Sequence, residues 1–86
     1  MTIEDITKKF SEGLMGEIKG ADEYLTMAQA AELLGANGLA KGLYSMAYDE
    51  FTHARFIHEM LVKHGIPVMI DTKARFSELK NRIENI

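Results

Sequence analysis

The 86 residues include no cysteine, no tryptophan and a single proline. Without cysteine there is no disulfide framework, thiolate zinc site, thiol nucleophile or iron–sulfur cluster. Neither sign of charge prevails: ten Lys and Arg face thirteen Asp and Glu, interspersed, for a net charge of −3. That leaves no basic patch for nucleic acid or for an anionic membrane surface. No apolar run approaches the roughly 20 residues a bilayer span requires, and no signal-peptide pattern opens the chain. The expected location is therefore the cytoplasm, or the inside of a bacterial compartment. A chain this short makes one domain at most and buries only about 60–65% of its unfolded surface, which leaves it marginal alone.

What remains reads as helix. There are six Met and few β-branched runs, a composition that favours helix over sheet. Thr2, followed by Ile3, Glu4 and Asp5, is an N-cap with first-turn acids. From there a seam of Ile6, Phe10, Gly13, Glu17, Gly20, Tyr24, Met27, Ala31 and Leu34 advances in steps of four and three, the geometry of a left-handed bundle. Gly35 suits a left-handed helix end, and Asn37 can cap the next helix. A second seam reads Leu39, Leu43, Met46, Glu50, His53, Ile57, Met60 and His64, and Gly65 with Pro67 closes it. A loop this short between long helices makes an antiparallel hairpin. Asp71 can cap a third helix, with Phe76, Leu79, Ile83 and Ile86 on one face. The expected class is all-α: one half-bundle domain over residues 1–86, with helices at about 3–34, 38–64 and 72–85.

Three polar residues interrupt the two seams: Glu17 on the first helix, Glu50 and His53 on the second. Positions i and i+3 share a helix face about 5–6 Å apart, so Glu50 and His53 can approach one ion together. Glu17 and Glu50 sit near the middles of their seams, and in an antiparallel hairpin the middles meet. Buried carboxylates cost several kcal/mol each without a counter-charge. One hairpin offers three ligands and cannot surround an ion. Two hairpins paired as a four-helix bundle offer four carboxylates and two imidazoles, whose four negative charges match two divalent cations. That is one Glu from each of two helices and Glu-x-x-His from each of the others, a dinuclear carboxylate pattern. Such a donor set suits iron or manganese, with zinc or copper open by affinity order.

"EIKGADEYLTMA" at residues 17–28 and "DEFTHARFIHEMLVKHG" at residues 49–65 resemble the first two bundle helices of ferritins and rubrerythrins. The resemblance implies Glu17, Glu50 and His53 as metal ligands and Tyr24 as a hydrogen-bond partner behind them. Those families carry four helices in one polypeptide, whereas this chain has two and a short third. It is similar in this to encapsulated ferritins, whose half-bundles dimerise to complete the site, and that argues against a 24-subunit storage cage. The closing "KNRIENI" does not resemble an encapsulin-targeting tail.

Asp49 flanks the second seam and could orient a His ring nitrogen, as metal-bound His usually requires. Glu23 flanks the first seam as an accessory or entry ligand, against the plainer reading of a surface acid. His58 lies off the seam, at the surface, and His64 is a helix-end residue favoured by the dipole. A further stripe on the first helix (Leu14, Ile18, Ala21, Leu25, Ala28) needs a partner of its own, such as the third helix. The functional expectation is a homodimer or higher homo-oligomer holding two Fe, one per chain, with Mn or Zn as substitutes. It would oxidise Fe(II) with dioxygen or peroxide. Two alternatives stand beside it: a metal-binding protein without turnover, and a metal-free oligomerisation module.

Overall fold

A computed structural model describes residues 1–68 and 72–84 of the chain. Three helices follow one another: α1 (Ile3–Leu33), α2 (Asn37–Lys63) and α3 (Thr72–Glu84), with no strand among the described residues. α1 starts in a reciprocal capping box. The Asp5 N–H donates to Thr2 Oγ1 at 3.1 Å, and the Thr2 N–H donates to the Asp5 carboxylate at 3.0 Å. Two otherwise orphaned donors are satisfied this way, and the same bonds hold the Asp5 carboxyl below its ordinary range.

Both long helices end alike. Gly35 at φ +76° and Gly65 at φ +68° take the left-handed conformation that side chains with a Cβ resist. The following N–H groups reach back five residues in the helix-closing ring, Ala36 to the Ala31 carbonyl and Ile66 to the Leu61 carbonyl, each at 2.9 Å. His64 is the residue that caps α2. One expectation is corrected at this turn: Ala36, not Asn37, precedes α2, and no side chain caps that helix. Ala36 already closes α1, so the turn has no residue to spare for a separate cap. The expected Asp71 cap and the Ile86 end of α3 lie outside the described residues.

Of the two apolar stripes on α1, the one that α3 covers forms the core of the single chain. The stripe that buries within the chain is Leu14, Ile18, Ala21, Leu25 and Ala28 of α1, against Ala47, Phe51, Ala54 and Leu61 of α2 and Leu79 of α3. Alanines at seven-residue spacing on both helices let the backbones approach closely. Phe76 and Ile83 pack on the same core from α3. Arg82 ties that helix to α1 by an ion pair with Asp22, with Thr26 Oγ1 and Gln29 Oε1 at 3.4 Å.

The seam expected to be core lies one position round. Ile6, Phe10, Met27, Leu39 and Met46 are each 40–59% exposed. The hairpin therefore carries two faces, one closed by α3 and one uncovered. His58, expected at the surface, is half-buried instead, its ring 5.3 Å from that of Phe76. Its position one turn beyond Ala54 brings it under α3.

Candidate metal centre

Glu17 projects from the middle of α1. Glu50 and His53 project from the middle of α2, three residues apart and therefore on one face. The antiparallel pairing brings one donor atom of each to within 4.8 Å of the other two. His53 Nδ1 stands 3.5 Å from Glu17 Oε2. That oxygen is sealed from solvent and has no hydrogen-bond partner among the described residues, which leaves it open to an ion or a water. The Glu50 carboxyl is pushed above its ordinary range, chiefly by its hydrogen bond with Glu17, then by burial and by the Glu17 charge. Two carboxyls crowded in this way disfavour the ionised form of Glu50, a cost that a cation would offset. His53 pulls the Glu50 value down and the charge of Asp49 pushes it further up.

Gly20 makes the room. A Cβ at this position would come within 2.9 Å of Glu50 Oε2, so the Glu50 carboxylate occupies the space a side chain would take on α1. Gly13 and Gly16 have nothing within 4 Å of a Cβ. An orphaned acceptor, a glycine cradle and two crowded carboxylates beside an imidazole fit a divalent cation. The group is not enclosed. The His53 side chain is 59% exposed and that of Glu17 is 30% exposed, so the site opens on the uncovered face. Tyr24 is half-buried against the core cluster, and Asp49 and Glu23 are exposed. Neither of these two acids joins the converging donors.

The family model described as Rubrerythrin matches residues 9–84, which takes in the ligand group and nearly all of the three helices. The chain belongs to the rubrerythrin family. No curated protein and no solved structure matches it. Rubrerythrin-like domains are ferritin-like and bind iron, and this member carries a Glu, Glu, His group able to receive a metal. No helix among its described residues is long and apolar enough to cross a membrane.

The rubrerythrin-family hairpin sets helix stability against its own site at Gly20. Gly20→Ala is expected to stabilise the metal-free fold by up to about 1 kcal/mol through helix propensity. The added Cβ displaces a flexible carboxylate, so the fold tolerates it, but the donor moves by several tenths of an ångström. Iron(II) affinity is expected to fall about 10-fold, the size of effect that misplacing a ligand produces. Thermal melts and an anaerobic titration of the same variant measure the two opposed changes.

Proposed function

We propose that two copies of this chain pair through their uncovered faces into a ferritin-like four-helix bundle and oxidise iron(II) at a dinuclear centre. Glu17, Glu50 and His53 of both chains hold the metal. The observation that carries the reading is the convergence of these three side chains on a face that no described residue covers. Three donors cannot enclose an ion, but six can. Four carboxylates balance two divalent cations, which removes the like-charge cost each hairpin bears alone. Exposed Phe10, Met27, Met46 and Phe56 flank the donors, and apolar surface of this kind marks an interaction site. Open space over Gly13 and Gly16 leaves room for a partner helix to come close.

Iron(II) is the substrate, and anionic oxygen donors favour its more highly charged oxidised form. The chain's own part is to hold and orient. Glu17 and Glu50 accept the cation, which offsets their mutual repulsion. His53 completes each half-site through a ring nitrogen, the other nitrogen being free to donate. In this reading Asp49 is the acceptor that fixes a His53 ring from its own chain or its partner's, Tyr24 stands behind Glu17, and Glu23 lies on the entry path. Dioxygen or peroxide is the oxidant. Manganese or zinc would occupy the same donors without that turnover. The setting is the cytoplasm or a bacterial compartment, where iron(II) is supplied.

Anaerobic titration of the metal-free protein with iron(II), alongside sedimentation, tests it. One iron per chain in a dimer or larger oligomer, followed by oxidation faster than buffer when dioxygen or peroxide is admitted, supports the whole reading. The same stoichiometry without faster oxidation leaves a metal-binding protein. No binding above background leaves an oligomerisation module whose polar residues set register.

A further inference from the structure

On the side of α2 turned away from Glu50 and His53, α2 and α3 part to leave a groove of about 500 Å³. Phe51, Arg55, His58 and Glu59 line it from α2, and Phe76, Ser77 and Lys80 line it from α3. These α2 residues lie on one stripe, with His53 roughly opposite them round the helix. The volume is that of a small-molecule site, which falls between about 300 and 1,000 Å³. α3 is held mainly by α1, through Leu79 and Arg82, so the groove is the gap left where α3 meets α2.

Its walls are aromatic and tilted. The Phe51 and Phe76 rings stand 6.0 Å apart at 71°, and the His58 ring meets Phe76 at 64°. Rings set edge to face in this way offer both a face and edges to a flat guest. The rim is cationic. Arg55 leans over the Phe51 ring, its guanidinium carbon 5.9 Å from the centroid, and Lys80 enters from the other wall. Both cations make only exposed pairs one turn along their own helices, Arg55 to Glu59 at 3.8 Å and Lys80 to Glu84 at 3.9 Å. Solvent screens such pairs, and they hold their partners weakly. Of the groove's own lining, two side chains are cations and one, Glu59, is a carboxylate, with Glu84 beside Lys80 at the edge; the acid of a guest competes there with weakly held partners.

We propose that this groove binds a small planar aromatic molecule carrying one carboxylate, its ring laid against the open sides of His58 and Phe76 and its acid on Arg55 and Lys80. The guest bridges α2 and α3 and clamps the third helix. The site is independent of metal binding.

The test is a titration of the metal-free, isotopically labelled full chain with 2-naphthoate, followed by amide shifts. Saturable shifts are expected at Phe51, Arg55, His58, Phe76, Ser77 and Lys80. A guest of about a dozen heavy atoms at ordinary efficiency gives a Kd near or below about 1 mM. Lys80→Glu and Arg55→Gln, both at exposed positions, are each expected to weaken binding about 10-fold while leaving the helical spectrum intact. The neutral 2-naphthylmethanol is expected to bind about 10-fold more weakly than the acid. Lys63→Glu, outside the groove, is expected to change nothing. Shifts centred on Phe10, Met46 and Phe56, equal affinity for the neutral alcohol, or affinity unmoved by both charge changes would each overturn the assignment.

Discussion

Glu50→Ala is expected to cost more than about 100-fold in iron(II) affinity while leaving the metal-free fold as stable as before, or more so. Disturbing the partners behind a metal ligand already costs about 10–100-fold, and this change deletes a ligand outright. In a shared site it deletes one from each half. The stability expectation runs the other way because Glu50 is crowded in the absence of metal. Its carboxyl meets the Glu17 carboxyl, partly buried, and its ionised form is disfavoured there. Removing one of two like charges that lack a counter-ion relieves the fold. Glu50→Gln keeps the volume beside Gly20 and removes only the charge, so it separates shape from electrostatics. It should bind iron nearly as poorly as Glu50→Ala and melt at least as high as the parent chain. Anaerobic titration and thermal melts of the two variants read both quantities. A variant that loses stability and keeps its metal would show that Glu50 is a structural residue and not a ligand.

That opposition explains which parts of the molecule were legible in its sequence. The three polar interruptions stood out because each occupies a step where the heptad asks for an apolar side chain, and the structure brings all three donors together. The helix ends were legible for a local reason. Thr2 with Asp5, Gly35 and Gly65 act within a turn of themselves. The choice of buried stripe was not local. α1 carries two adjacent apolar stripes, Ile6–Phe10–Met27 and Leu14–Ile18–Leu25, and periodicity fits either. What decides is α3, whose Leu79 and Phe76 cover the second, held by an Arg82–Asp22 pair across 60 positions of sequence. A contact at that separation has no periodic signature. His58 was misjudged for the same reason, since only the arrival of Phe76 buries it. Asn37 failed as a cap because one alanine serves both helices of the turn.

The metal-free protein is expected to lose stability as pH rises through the mildly acidic range and to regain it when metal is added. The Glu50 carboxyl titrates above its ordinary value of 4.5 in the folded chain. Between that value and the raised one, the folded state binds more protons than the unfolded state, so stability declines with pH. Below 4.5 its contribution is fully present and no longer varies with pH, and above its folded value the loss is complete. Asp5 acts in a separate window and with the opposite sign. Its folded value lies below 3.8, so its contribution is full above that value and fails only as the solution becomes strongly acid. The metal-free chain should therefore be most stable at mildly acidic pH. A cation beside Glu17 and Glu50 offsets the cost of ionising both, and metal at about 100 to 1,000 times its Kd adds about 2.7 to 4.1 kcal/mol. For a domain of this size that raises Tm by about 10–30 °C. Manganese(II), which does not oxidise during a scan, is the suitable probe. The optimum should move to neutral pH with metal present, and Glu50→Gln should abolish both the acid-range decline and the rise with manganese. A decline that survives Glu50→Gln would assign it to other carboxylates and leave the Glu17–Glu50 pair without the strain that metal is expected to relieve.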